Sequence, residues 1–207
     1  MSESRTAEAA GWDERYAAAG LVWSREPNRF VAAEAGDLPP GRALDVGAGE
    51  GRNALWLAGR GWQVTAVDFS AVGLDKGRQA AEALGVAGRV EWVCDDVRSW
   101  SPPPRRYDLV VVAYLQLPAE DLAAALARAA SGVAPGGRLV AVGHDVTNLE
   151  RGVGGPRDAA RLWSPEQLRS LLTGEGLVVA EARTVERPTP EGTALDTLVT
   201  ATAPERD

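Results

Sequence analysis

The run Ala43-Leu44-Asp45-Val46-Gly47-Ala48-Gly49-Glu50-Gly51-Arg52-Asn53 sets three glycines at every second position between an apolar segment and a helix-like one. Glycine at such sites permits a sharp turn and lets a ligand approach where a Cβ would collide. The helix beyond presents unpaired N–H groups at its start. Twenty-one residues after Gly47, Asp68 closes the next apolar segment. A carboxylate at that point of a strand, glycine bend, helix and strand can accept both hydroxyls of a ribose. The spacing is G-x-G-x-G, and Arg52 stands where a dinucleotide fingerprint carries its third glycine. Asp45 and Glu50 crowd the bend, poor company for a pyrophosphate but suited to a ligand bearing an ammonium and a sulfonium. The bend favours a cationic nucleoside.

Other reactive side chains are few. Cys94 is the only cysteine and His144 the only histidine, so an internal disulfide is impossible and a zinc site of the Cys/His type lacks its ligands. His144, beside Asp145, is the one neutral-pH base of the usual kind; its plain alternative is a polar strand end bonded to nearby backbone. Tyr114 and Gln116 follow an apolar run and read either as ligand contacts or as ordinary residues leading into a helix. Twenty-two basic residues against 29 acidic ones give a net charge of -7, which does not favour nucleic acid as a partner. No run approaches the length that crosses a bilayer, and Met1 to Ala10 lacks the apolar centre of a signal peptide. The expectation is a cytoplasmic protein acting on a small molecule, without membrane or metal.

These groups need elements to hold them. Strand-like and helix-like segments alternate from about Gly41, the pattern of parallel α/β architecture. Strands are predicted at Arg42 to Gly47, Gln63 to Val67, Arg89 to Cys94, Leu109 to Ala113 and Arg138 to Val142, the last entered by a tight turn at Pro135-Gly136-Gly137. Helices are predicted at Asn53 to Arg60, Ala71 to Leu84 and Ala119 to Ala130, with another capped by Ser164 and opened by Pro165. Leu177 to Val185 and Leu195 to Thr202 read as two further strands, turning at Pro188 to Gly192. The glycine-rich stretch from Asn148 to Asp158 reads as a mobile loop or lid. The sum is a doubly wound, mostly parallel seven-stranded α/β sheet with a C-terminal antiparallel hairpin. It is expected as one domain, residues 41–207, preceded by a helical lid segment, residues 1–40.

With these residues in view, the sequence resembles the class I S-adenosylmethionine-dependent methyltransferases. Leu44 to Gly51 looks like their first motif and Val67-Asp68-Phe69-Ser70 like their second. Cys94-Asp95-Asp96-Val97 is similar to their adenine-binding segment, and Tyr107-Asp108-Leu109-Val110 and Pro135 to Leu139 resemble their fourth strand and the entry to the fifth. Gly51-Arg52-Asn53 with Leu55 and Leu57-Ala58 is similar to the tellurite-resistance and thiopurine-like branch, whose substrates are small molecules and soft inorganic anions. The resemblance implies S-adenosylmethionine as cofactor, its methionine and ribose lined by Gly47, Gly49 and Gly51, with Asp45 beside them. It implies Asp68 on the ribose, Phe69 on the adenine, Asp96 (or Asp95) on the adenine amino group, and the Val97 N–H on the ring. Ala113 and Tyr114 would face the donor methyl. Arg52 could pair with the cofactor carboxylate or an anionic substrate.

In the resembling families the N-terminal segment folds over the cofactor, which makes Tyr16 and Trp23 expected lid contacts; the alternative is that they anchor a helix on the sheet. Methyl transfer from a sulfonium is a direct displacement, so a base is needed only when the acceptor must lose a proton. His144 and Tyr114 are the candidate catalytic residues. Two other readings share the glycine bend: a nicotinamide-dependent oxidoreductase, and a binding module that keeps the cofactor cleft without turnover.

Overall fold

The computed structural model describes residues 3–18, 20–22 and 24–205. The chain divides into two compact units, Met1–Trp100 and Ser101–Asp207. Its strand order is β3-β2-β1-β4-β5-β7-β6, the seven-stranded, mostly parallel arrangement expected, with the numbering given below.

The first unit runs α1 (Glu3–Ala18), α2 (Arg29–Ala35), β1 (Arg42–Val46), α3 (Arg52–Gly59), β2 (Gln63–Asp68), α4 (Ala71–Ala83) and β3 (Val90–Cys94). All three strands are parallel, and Val46 pairs with Val67 while Asp68 pairs with Cys94. The register therefore brings the strands' carboxyl ends level. Leu44, Val46, Ala66 and Val67 are buried, as unbroken apolar runs require in parallel strands covered on both faces. The helix α4 buries Gly73, Leu74, Gly77 and Ala81, a stripe at helical spacing. Two of the small residues in this unit make room for one ring: a Cβ at Gly51 or at Gly77 would run into Trp92.

The second unit runs β4 (Tyr107–Ala113), α5 (Ala119–Ser131), β5 (Val133–His144), α6 (Asn148–Arg151), α7 (Pro165–Gly174), β6 (Val178–Thr189) and β7 (Gly192–Thr202). Leu109 to Val112 are fully buried, consistent with a strand covered on both faces. The helix α7 begins as expected, with the Ser164 hydroxyl accepting from the Gln167 N–H at 3.2 Å.

Three details differ from the sequence reading. Pro135-Gly136-Gly137 lies within β5: Tyr107 pairs with Val133 and Leu109 with Arg138, so the segment loops out of a ladder that continues on either side. The closing hairpin is longer than expected, and Pro188 lies inside β6. That strand ends the sheet order, and an edge tolerates the missing N–H. The stretch from Asn148 begins with the helical turn α6 and is pinned. The buried Asn148 amide donates to the Gly154 carbonyl at 2.9 Å, while its oxygen accepts from the Leu195 N–H at 2.7 Å. None of the described helices is long and apolar enough to cross a membrane.

Candidate functional site

In the first unit the bend after β1 is built on left-handed glycines: Gly47, Gly49 and Gly51 have φ of 71°, 57° and 77°. The Gly47 and Ala48 N–H groups donate to the Val67 carbonyl, which ties the bend to β2. Asp68 completes it. One carboxylate oxygen accepts from the Gly49 N–H at 2.8 Å and the other from the Ser70 N–H at 2.8 Å. Burial raises its carboxyl above the usual range despite these bonds, and the nearby charge of Asp13 adds to the rise.

Asp45 turns inward rather than toward the mouth of the bend. Its carboxylate accepts from the Ala54 N–H at 3.1 Å, so it caps α3 from the strand, where Gly51 offers no side chain for the task. Burial pushes its carboxyl up to about 7, against the pull of that N–H and of the Arg52 charge. Arg52 is half-buried at the first position of α3. A Cβ at Gly51 would meet the Trp92 ring.

The segment before β1 is stitched across this region. Tyr16 is buried, and its hydroxyl stands against Gly49 where a Cβ would be. Asp13 accepts from the Ser70 hydroxyl and from the Val72 N–H. Lys76 donates to the Tyr16 carbonyl and lies 3.4 Å from Glu50, whose carboxylate accepts the Val22 N–H at 3.0 Å. Asn53 accepts from the Asn28 N–H at 2.9 Å, and Asn28 in turn caps α2. Trp23 lies outside the described residues. A separate cavity of about 780 Å³ is lined by Arg25, Arg52, Trp56, Lys76 and Leu84 among others; Gly47, Gly49 and Asp68 do not line it.

After β3, the doublet resolves into two different acids. Asp96 is buried, and both of its oxygens receive the Arg98 Nε, at 2.8 and 3.0 Å. Arg98 also reaches Glu8 of α1 at 2.9 Å. Asp95, the other acid of the doublet, is exposed. Val97 is buried behind them and Phe69 is half-buried just past β2.

In the second unit, β4 ends at the half-buried Ala113, and Tyr114 follows in the left-handed region at φ 54°, a conformation uncommon outside glycine. Its hydroxyl donates to Asp196 at 2.7 Å, and its ring lies 4.8 Å from that of His144. His144 Nδ1 faces Asp196, not the neighbouring Asp145, at 3.3 Å. Arg187 Nε donates to Asp196 at 2.7 Å and to the Tyr114 hydroxyl at 3.0 Å. Burial alone would raise the Asp196 carboxyl; the nearby His144 ring and the hydrogen bonds from Arg187 and Tyr114 hold it below the usual range. Asp145 has a structural role: burial is outweighed by the hydroxyls of Thr147, Thr197 and Thr184, and its carboxyl is also lowered. Gln116 contributes its backbone carbonyl to Arg161 at 2.7 Å. Asp196 and Arg187 escaped the sequence reading. The available signal was a lone acid in the apolar run Leu195-Asp196-Thr197-Leu198-Val199.

Residues 43–137 match the family model described as a methyltransferase domain. The tRNA 5-carboxymethoxyuridine methyltransferase of Escherichia coli (strain K12) is 46% identical over 52 residues, covering 25% of this chain and 20% of that protein. The probable thiol methyltransferase 2 of Arabidopsis thaliana is 27% identical over 113 residues, 53% of this chain and 48% of that one. The chain spans between a fifth and just under half the length of the curated relatives it matches. A SAM-dependent methyltransferase from Methanosarcina mazei shares the fold, with a TM-score of 0.70 at 18% identity over 87% of this chain and 100% of that one. A glycine bend with a buried acid at the end of the next strand thus lies within residues 43–137, which match a methyltransferase domain, and the chain shares its fold with S-adenosylmethionine-dependent methyltransferases.

Proposed function

We propose that the chain transfers the methyl group of S-adenosylmethionine to a small-molecule acceptor by direct displacement. One observation carries the reading: the Asp68 carboxylate is fixed at the bend by the N–H groups of Gly49 and Ser70 while burial leaves it short of compensation. Two ribose hydroxyls would supply what is missing. The cofactor brings a methyl group already activated on sulfur, so the protein's task is positioning.

In this reading Gly47 and Gly49 border the methionine and ribose portions, Phe69 covers the adenine, and the exposed Asp95 accepts from its amino group next to the Val97 backbone. Arg52 pairs with the cofactor carboxylate. Asp45 and Gly51 act behind the site, one capping α3 and the other admitting Trp92. Tyr16, Asp13 and Glu8 make α1 the lid, since they reach Gly49, Ser70 and Arg98.

The net charge of -7 supports a small acceptor over a polyanion, and the similarity to a thiol methyltransferase points the same way. RNA is the second reading, favoured by the similarity to a tRNA methyltransferase. Release of labelled methyl from S-adenosylmethionine, measured against thiols, phenols, amines, chalcogen oxyanions and bulk tRNA, tests both. Product with a small acceptor and none with tRNA is expected; the reverse overturns the acceptor class. Calorimetry should show binding of S-adenosylhomocysteine and not of NADH, and silence with the former removes the whole reading.

A further inference from the structure

Apart from the bend, the first unit holds a cavity of about 780 Å³ into which two helices each turn one face. Arg52, Leu55, Trp56 and Arg60 come from α3 and its cap, and Lys76, Ala80, Ala83 and Leu84 from α4 and its cap, both sets at helical spacing. Leu21 and Arg25, from the segment before α2, form a third wall. The volume falls within the roughly 300–1,000 Å³ of small-molecule sites. From Arg52 to Arg60 the α3 wall runs about 12 Å along the helix, and Gly47, Gly49 and Asp68 take no part in the lining. A ligand here is independent of the methyl-transfer reading.

The lining joins two kinds of surface. Its apolar part includes Leu21 and Leu84, 45% and 64% exposed, two of the four large apolar side chains left open to solvent among the described residues. A single exposed leucine is ordinary, but two that share a cavity with Leu55 and Trp56 form a patch that a ligand's apolar body can cover. The polar part is basic. Arg25, Arg52, Arg60 and Lys76 line the cavity against Glu26 and Glu50, in a chain whose net charge is -7. Glu50 is already engaged by Lys76 at 3.4 Å and by the Val22 N–H at 3.0 Å.

Arg60 is the cation best prepared for an anion. Its guanidinium lies over the Trp56 ring, 5.1 Å from the centroid, and Nη2 donates to the Gly36 carbonyl at 2.6 Å. Two anchors hold the planar group, and its five N–H donors leave several for a carboxylate. A group fixed in advance loses less freedom when it binds. We propose that this cavity binds a small aromatic carboxylate, its rings against Leu21, Trp56 and Leu84 and its carboxylate on Arg60. Arg25 adds to the positive field, and Arg52 does so at the end nearest the bend.

Equilibrium dialysis of the full chain against naphthalene-2-carboxylate tests the site, with 2-naphthylmethanol as the neutral control. The acid should bind about tenfold more tightly than the alcohol. Equal affinities overturn the carboxylate assignment, and no retention of the acid at millimolar concentration overturns the site. Arg60→Gln should weaken the acid about tenfold and leave the alcohol unchanged. Leu84→Asp, at an exposed position, should weaken both ligands and the acid more. Acid affinity unmoved by either variant overturns the placement. Neither residue is among the proposed cofactor contacts, so affinity for S-adenosylhomocysteine should be the same in both variants as in the parent chain; a loss there would overturn a separate site. Failure of the parent chain to bind S-adenosylhomocysteine sinks methyl transfer alone. Sedimentation checks a rival occupant: Leu84→Asp should leave the profile unchanged, whereas a dimer that it dissociates would give this face to a second copy of the chain and overturn the proposal.

Discussion

Asp45 and Asp68 in the first unit, and Asp145 and Asp196 in the second, are all buried, yet their carboxyls move in opposite directions. The first pair is raised, since burial outweighs the backbone N–H groups that are its main support. The second pair is lowered because hydroxyls, an imidazole and a guanidinium supply more than burial removes. The contrast distinguishes two uses of a buried acid. Asp145 and Asp196 are completed by the protein, and serve to fix the chain around them. Asp68 is held by backbone N–H groups and stays raised, which suits the ligand-binding role proposed for it.

The largest test of that contrast is Asp196→Ala, which strands Arg187 and deprives Tyr114 and His144 of their common partner. Breaking a buried pair in this way costs about 3–5 kcal/mol, and denaturant unfolding should show a loss of that size; a change under about 1 kcal/mol would mean that the second pair is no better completed than the first. Next comes Asp68→Ala. With charged hydrogen bonds worth about 1.5–3 kcal/mol each, affinity for S-adenosylhomocysteine should fall at least tenfold in calorimetry, and undiminished affinity would dissolve the distinction.

Acidity sharpens it further. Asp45 is raised to about 7, so below that pH its neutral form is favoured in the folded chain. Its contribution to stability is whole below the ordinary carboxylate value of about 3.9 and is lost as pH rises through about 7. Asp145 and Asp196 behave inversely: their contribution is present above about 3.9 and is lost as pH falls through their lowered folded values. Asp45→Asn should flatten the decline between pH 4 and 7, where one such group gives a slope of at most about 1.4 kcal/mol per pH unit, and unfolding midpoints measured across that range check it. The smallest effect is expected from Ser164→Ala, which touches neither pair: about 1 kcal/mol from the lost cap of α7, and no change in the pH profile.

The sequence made the elements legible where their causes are local. The apolar runs of β1, β2 and β4, the glycine bend and the Ser164 cap depend on near neighbours, and each stands as read; Asp68 closes β2 as its position predicts. What escaped depends on distant partners. His144 was read beside Asp145, its neighbour in sequence, but a hairpin returns Asp196 to it from 52 positions away. The Trp92 ring beside Gly51 likewise has no signal in the run from 43 to 53. The pairing of Asp96 with Arg98 is of a different kind, because Arg98 is only two residues on and lies within reach of a local reading.

The ring of Trp92 has a consequence for how this chain can vary. Positions 51 and 77 are not independent of one another, because both are occupied in effect by the same indole. Enlarging either alone meets an obstacle, while shrinking the indole alone leaves a void under the bend. Drift at any of the three should therefore be accompanied by change at the others, and relatives with a small residue at 92 are where bulk at 51 or 77 would first be found.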